Sequence, residues 1–202
     1  MTTPLDDSVQ YLKHVGPSRA EDFARLGIHT VRDLIWTFPR DLSDRSNLFR
    51  IVDLPEERPA TVVATALMVS ERPAGRRRGR AGMGITTAEF ADDSGGILEV
   101  VWFNQPWLKD KLPGSRVLIH GKAKHKGDRR VMEHPLYEIV PEDTPVHTLN
   151  FGRIVPIYPI TGSLNQSVWR RAMAHALDTR LEFLEDPLDQ DLIGRSHFMG
   201  LR

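Results

Sequence analysis

The chain has 202 residues, no cysteine, and 27 Lys and Arg balanced by 27 Asp and Glu, so its formal net charge is zero. This length suits one large domain or two small ones, and the lack of cysteine excludes disulfides and thiolate metal sites. No apolar run is long enough to cross a bilayer, and the first residues do not form a signal peptide. We therefore expect a cytoplasmic protein without a membrane partner.

Residues 1–55 are predicted to be a helical N-terminal region. Gly16 and Gly27 bracket apolar residues at helical spacing, and Thr30 is a suitable cap for a second short helix, which must end before a proline. Two short helices around a glycine turn resemble a helix-hairpin-helix, with His14 where a first hairpin glycine is expected. Such a hairpin either binds phosphate through backbone N–H groups or has only a structural role in packing. The residues leave both roles open.

The middle of the chain, residues 60–141, has the pattern of a β barrel. Turn residues and one helical or irregular connection separate five predicted strands, at 61–69, 85–90, 97–103, 116–123 and 130–140. Five strands with a connection after the third fit an OB-fold, a Greek-key barrel used widely to bind single-stranded nucleic acids.

The C-terminal segment, 142–202, is predicted to be an extended linker followed by an amphipathic helix. Ser163 and Gln166 form a capping-box pattern at the start of this helix. We expect the helix to pack on the barrel with Arg170 and Arg171 facing outward. The predicted fold class is therefore mixed β/α: a five-stranded OB-fold barrel with a helical N-terminal region and a helical C-terminal extension.

The third predicted strand ends in aromatic residues. Alternation along a strand places Trp102 on the same face as Leu98, in the core, and places Phe103 on the opposite face. Trp107 follows four residues later in the connection. Rings at a loop tip must either sink into a core or meet a flat partner, and a nucleobase is such a partner. Phe103 and Trp107 are therefore candidate base-stacking residues.

Charge is distributed unevenly, with 13 Lys and Arg against 7 Asp and Glu between residues 70 and 130. A local basic surface is expected within a neutral whole. Alternatively, the basic residues of this segment are surface charges that contact only solvent. The candidates for contacts with DNA phosphates are Arg76, Arg77, Arg78 and Arg80 in the loop between the first two strands, and Lys122, Lys124, Lys126, Arg129 and Arg130 on the fourth and fifth strands.

No motif for catalysis or metal binding is found in the sequence. A P-loop would require G-x-x-x-x-G-K-[ST], but Gly121 and Lys122 are followed by Ala123, which has no hydroxyl. The eight histidines are not at metal-ligand spacing, and Asp92 and Asp93 are better explained as turn residues. We therefore predict no catalytic residue, no metal site and no cofactor in this chain.

Four groups of short motifs, in one order, carry a family resemblance. They are Phe38-Pro39-Arg40 with Asp44-Arg45; Trp102-Phe103-Asn104-Gln105; Gly121-Lys122 with His134-Pro135-Leu136-Tyr137-Glu138; and Pro156-Ile157-Tyr158-Pro159. Together they resemble the N-terminal wedge region of the RecG family of ATP-dependent DNA helicases. The resemblance covers roughly residues 12–192.

The resemblance implies a specific role. In that family the wedge is an OB-fold domain at a branched DNA junction, and it separates strands while a C-terminal two-lobed motor pulls the duplexes. The family reverses stalled replication forks and migrates Holliday junctions in recombination and repair. Two wedge aromatics stack on bases flanking the branch, and Phe103 and Trp107 match them. The implied partners are branched DNA and a helicase motor in a parent polypeptide, with ATP and Mg²⁺ expected for that motor alone and a monomeric state.

Two other functions remain open from the residues alone. The first is a general single-stranded DNA-binding OB module, which would bind plain single strands as tightly as forks. The second is a protein-interaction OB domain, in which the rings are buried against a partner. An enzyme acting alone has no motif in its support.

Overall fold

A computed structural model describes residues 3–72, 84–127, 129–142 and 147–185, together with the backbone of 76–77 and 80–81. The chain forms two compact units, Met1–Leu42 with Pro156–Arg202, and Ser43–Val155. The sequence predicted three consecutive regions instead. The difference arises because the C-terminal helix shares a core with the N-terminal helices.

The helices are α1 Gly16–Ala24, α2 Val31–Ile35, α3 Leu108–Lys111 and α4 Gln166–Arg180, with 3-10 turns at Val9–Tyr11, Ile51–Asp53 and Leu181–Phe183. The strands are β1 Asp41–Asp44, β2 Leu48–Phe49, β3 Pro59–Arg72, β4 Arg76–Arg77, β5 Arg80–Ala81, β6 Ile85–Ala91, β7 Ile97–Phe103, β8 Arg116–Lys126, β9 Arg129–Glu133, β10 Leu136–Ile139 and β11 Ile154–Ile157. None of the helices in the described residues is long and apolar enough to cross a membrane.

The helical unit is built around the indole of Trp169 in α4. Phe23 of α1 meets this indole edge-on at 4.8 Å between ring centroids, and Tyr158 stacks on it at 4.6 Å with planes 7° apart. The apolar face of α4 therefore lies in the helical core, and the expectation that it packs on the barrel is wrong. Arg170, which was expected to face outward, is buried, and its Nε donates to the Pro156 carbonyl at 3.1 Å.

The start of α4 also differs from the prediction. Asn165 is the N-cap, and its side chain accepts a hydrogen bond from the Val168 N–H at 3.0 Å. Ser163 lies before the helix, and both its N–H and its hydroxyl donate to Asp22 at 2.7 Å. The capping box predicted from Ser163 and Gln166 is therefore wrong. Asn165 is an equally good N-cap residue, and Ser163 is engaged by the Asp22 carboxylate instead.

The N-terminal hairpin has the backbone conformation that the glycine pattern suggested. Both predicted helices are present, and Thr30 caps α2 in a reciprocal arrangement with Asp33. His14 has φ 73° and Gly16 has φ 65°, so a non-glycine residue adopts the left-handed conformation expected of the first hairpin glycine. Binding of phosphate at this hairpin stays a prediction.

The barrel unit closes in the order β3-β6-β7-β9-β8-β3, with β7 and β9 parallel and the other neighbours antiparallel. This is the five-stranded OB-fold that the sequence predicted. Closure leaves no free edge among these five strands. The barrel interior is filled by apolar side chains from all five strands and from α3, among them Val62, Phe90, Leu98, Val100, Trp102, Leu108, Ile119 and Met132.

The last predicted strand, 130–140, is two strands in the structure. β9 ends at Glu133, the chain turns at His134 with φ 50°, and β10 then pairs antiparallel with the stretch of β8 next to the one that pairs with β9. Pro135 causes the break because it has no N–H to donate to a sheet ladder.

A second layer of contacts lies outside the barrel around His120 of β8. Its Nδ1 is 2.9 Å from the Thr61 hydroxyl, and the ring is 8% exposed. Arg45 is buried nearby, donates to the Asn150 carbonyl at 2.9 Å and lies over the ring of Phe151. Burial, with a further contribution from the Arg45 charge, lowers the pKa of His120 to about 4.

We expect the unfolding free energy to fall as pH is lowered from about 6.5 to about 4. In this window the unfolded chain binds a proton at His120 that the folded chain does not, so stability is lost at up to about 1.4 kcal/mol per pH unit. Urea unfolding at a series of pH values measures the effect. His120→Asn keeps a hydrogen-bonding side chain but removes the titration, so its stability should vary less across the window. An unchanged pH dependence in the variant would exclude His120 as the cause.

Candidate nucleic-acid interface

β7 presents opposite faces to the barrel core and to solvent. Trp102 is fully buried, and its Nε1 donates to the Pro135 carbonyl at 3.2 Å. Phe103 is half-buried on the other face, where Glu99 and Val101 also lie. The alternation predicted from sequence is therefore confirmed for both aromatic residues. Phe103 is the last residue of its strand, so its ring stands at the end of the barrel.

Cross-strand pairing fixes the surroundings of Phe103. Ile85 pairs with Phe103 on one side and with Arg72 on the other, which places the three residues in one row on the outer face. Asn104 follows with φ 54°, donates its N–H to the Gly84 carbonyl at 2.8 Å, and accepts the Gly84 N–H through Oδ1 at 3.2 Å. The ring is thus held where the loop between β3 and β6 rejoins the barrel.

Trp107 stands at the N-terminus of α3 and is 48% exposed. The turn before it is fixed by the Gln105 carbonyl, which accepts from the Leu108 N–H at 3.2 Å and from the Thr86 hydroxyl at 3.0 Å. Because Thr86 pairs with the residue before Phe103, Trp107 is attached at the same end of the barrel. An exposed indole on an anchored turn suits stacking on a flat partner.

His134 stacks on Phe103, and the sequence did not single it out for this role. The ring centroids are 6.2 Å apart, and the planes are inclined by 20°. The His134 N–H donates to the Val101 carbonyl at 2.7 Å, which joins the β9–β10 turn to β7. The sequence feature that could have identified His134 is its position as the first residue of the motif that begins with His134-Pro135.

The basic loop between β3 and β6 is described only in part. Its backbone forms a two-stranded hairpin of β4 and β5, in which Arg76 pairs with Ala81 and Arg77 with Arg80. The side chains of Arg76, Arg77 and Arg80, and all of Arg78, lie outside the described residues. Their contacts with DNA stay a prediction.

The lysines of β8 share one outward face. Lys122, Lys124 and Lys126 alternate along the strand, and all three are exposed. The Lys124 ammonium lies 3.6 Å from the Glu133 carboxylate. Within the part of the chain that the structure describes, Lys122 and Lys126 make no ion pair, so their charges are available to phosphates.

The two arginines of β9 are engaged within the barrel unit. Arg129 lies 2.8 Å from Glu89 and 3.7 Å from Glu99. Arg130 donates to the carbonyls of Val52 and Leu54, each at 2.6 Å. We infer a packing role for Arg130, whereas Arg129 is partly neutralised by its acidic neighbours.

The outer face of β6, β7 and β9 carries three carboxylates. Glu89 and Glu99 are directly paired across the strands, and Glu133 pairs with Val101. Arg129 and Lys124 are the cations that contact them. A single strand laid along this face would meet like charges close to its phosphates. Phe103 instead shares its cross-strand row with Ile85 and Arg72, so the charge in that row is a cation and not a carboxylate.

Comparison with known proteins shows the family of the chain. A family model described as the RecG wedge domain matches residues 8–179. The chain belongs to the RecG wedge domain family. The recognition made from the sequence motifs is therefore confirmed.

Curated relatives and a solved structure extend the match. The chain is 28% identical to the ATP-dependent DNA helicase RecG of Thermotoga maritima over 98% of its own length and 24% of that protein. It is 32% identical to RecG of Escherichia coli K12 over 83% of its length and 23% of that protein. It is also similar to a RecG solved bound to a three-way DNA junction, with a TM-score of 0.73, 26% identity, and coverage of 99% of this chain and 26% of that one. The chain thus spans about a quarter of the length of its curated relatives.

Proposed function

We propose that this chain is the branched-DNA-binding wedge of a RecG-like ATP-dependent DNA helicase, acting at replication forks and Holliday junctions in recombination and repair. Phe103 and Trp107 cap the bases that flank the branch, and nearby cations hold the phosphates of the arms. The observation that carries the proposal is the pair of aromatic rings, one half-buried and one exposed, anchored at one end of an OB barrel. Recognition is by shape, because the bases are met by planar stacking and not by hydrogen-bond readout.

The charge of the barrel favours this role over general binding of single strands. An OB-fold that binds single strands commonly uses the face of its second and third strands. Here those strands, β6 and β7, carry Glu89 and Glu99 side by side. Carboxylates at these positions oppose a phosphate backbone, whereas the aromatic end of the barrel can receive unpaired bases at a branch.

Sustained strand separation requires an energy source outside this chain. No P-loop occurs in the 202 residues, so we assign ATP and Mg²⁺ to a helicase motor in a parent polypeptide. The relatives that the chain matches are about four times as long as the chain and carry the name ATP-dependent DNA helicase, which supports this assignment. The wedge contributes binding and positioning, and the motor contributes movement.

A gel-shift comparison of a three-way junction, a duplex and a single strand of equal length tests the proposal. We expect the junction to bind at least about 10-fold more tightly than either control, since only the branch offers unpaired base faces beside several phosphate arms. Equal affinity for the single strand would favour a general single-strand binder. Absence of binding to all three at low salt would favour a protein-interaction domain.

Lys122 and Lys126 should contribute to junction binding through phosphates alone. We expect Lys122→Ala with Lys126→Ala to reduce the slope of log K against log salt by about 2 in magnitude, because each phosphate contact contributes about 0.9. Titrations between low and physiological salt measure the slope. Arg153→Ala removes an exposed cation from another segment and should leave the slope unchanged. An unaltered slope in the double variant would exclude these lysines from the interface.

A further inference from the structure

The stacking of His134 on Phe103 differs from the other ring contacts of the barrel. Trp102 meets Phe90 and Tyr137 edge-on, with planes 72° apart, and both contacts are those of a packed interior. His134 and Phe103 are instead inclined by only 20°, and the histidine is exposed. The near-parallel pair therefore extends outward from the barrel and does not fill its core.

Two hydrogen bonds hold the segment that carries His134 against β7. Its own N–H donates to the Val101 carbonyl at 2.7 Å, and the carbonyl of Pro135 accepts from the Trp102 indole at 3.2 Å. Val101 and Trp102 are the two residues that precede Phe103. The backbone that carries the imidazole is thus fixed relative to the strand whose last ring the imidazole contacts.

Backbone strain is concentrated around Phe103. Among the described residues, four that are not glycine have positive φ, and two of them adjoin this ring: Asn104 follows it at φ 54°, and His134 stacks on it at φ 50°. A left-handed conformation costs free energy in a residue with a Cβ, and such residues persist where the surroundings over-determine them, often at functional sites. Neither residue is buried, so core packing does not account for either conformation.

We propose that His134 is a positioning residue that backs one face of Phe103 and leaves the other free for a base, forming a three-layer stack of base, Phe103 and His134. This inference rests on the proposed function and adds a component to the same site. The backing ring restricts rotation of Phe103 before DNA arrives. A base then meets a ring that is already in the orientation required for stacking.

His134→Gly is the sharpest test. Glycine adopts positive φ without strain, so the variant removes the ring while favouring the native backbone. We expect the affinity of the 202-residue chain for a three-way junction to fall about 2- to 10-fold, with no fall in melting temperature. His29→Gly removes an exposed histidine from the helical unit and serves as the control. Unchanged affinity in His134→Gly would overturn the inference.

A double-mutant cycle separates this inference from the function on which it rests. If His134 acts through Phe103, His134→Gly should have no further effect on affinity in a Phe103→Ala background. An equal loss in both backgrounds would assign His134 an independent contact and overturn the positioning role. If Phe103→Ala itself leaves junction affinity unchanged, the proposed wedge function fails, and the inference about His134 fails with it.

A fluorescent base reports the geometry directly. 2-Aminopurine placed at the position flanking the branch is quenched when it stacks, so saturating wild-type protein should quench it. Saturating His134→Gly should quench it less, because the Phe103 ring is no longer held in one orientation. Equal quenching by both proteins would show that His134 does not orient the stack.

Discussion

Replacing Phe103 and Trp107 together by alanine should lower affinity for a three-way DNA junction about 30-fold or more. Each base stacked on an aromatic ring contributes about 1–3 kcal/mol, so two rings account for at least about 2 kcal/mol. Each single variant should show part of this loss. Fluorescence anisotropy with a labelled junction at fixed salt measures it.

The barrel should survive this double substitution. Trp107 is nearly half exposed, and Phe103 lies outside the barrel interior. Affinity for plain duplex should change little, since duplex arms are held by phosphates. Tyr11→Ala removes an exposed ring of the helical unit and is the matched control. A loss below threefold for the junction, or an equal loss for duplex, would contradict base capping by these rings.

Trp102→Ala, in contrast to the Phe103 and Trp107 variants, should cause a large loss of folding stability. The indole is fully buried among Phe90, Tyr137 and the aliphatic core, and truncation of a buried tryptophan costs about 3–5 kcal/mol. Loss of its hydrogen bond also leaves the Pro135 carbonyl without this donor. Urea unfolding followed by circular dichroism measures the change in midpoint.

The neighbouring residue provides the control for this prediction. Phe103→Ala should cost clearly less stability than Trp102→Ala, because successive side chains of β7 face opposite sides of the sheet. Equal losses of stability in the two variants would contradict the assignment of Trp102 to the core and Phe103 to the interface. Trp102→Phe retains most of the apolar contact and should fall between them.

Local patterning predicted the barrel well. Alternation along 97–103 identified the buried and outward rings, and the turn residues at 92–96 separated β6 from β7. Period-two alternation is a property of each strand by itself, so it can be read without knowing the strand's partners. The break at His134 and Pro135 carried a proline signal that the continuous-strand interpretation overlooked.

Long-range pairing could not be predicted in the same way. The amphipathic face of α4 is evident in the sequence, but its spacing does not reveal whether the face covers the barrel or the N-terminal helices. Trp169 meets Phe23, more than 140 residues earlier in the chain, through a contact that depends on the complete fold. Ser163 does not cap α4 because it donates hydrogen bonds to Asp22, which is also a long-range contact that the local sequence does not reveal.

The candidate site shows the same division between local and long-range information. Phe103 was identified by strand parity and family resemblance, whereas its stacking partner His134 lies across a parallel strand pairing that the sequence does not disclose. Arg129 and Arg130 were grouped with the β8 lysines by charge alone. The structure separates them, because Glu89 pairs with one and backbone carbonyls accept from the other.

Photocrosslinking gives the most direct test of where these rings meet DNA. A three-way junction carrying 5-iododeoxyuridine at the base flanking the branch should crosslink to Phe103 or Trp107, identified by mass spectrometry of the attached peptide. The same label placed within an arm should crosslink at neither residue. Crosslinks from the branch to Val101 or Thr87 on the outer sheet face, or equal yields from both label positions, would contradict a wedge that caps bases at the branch.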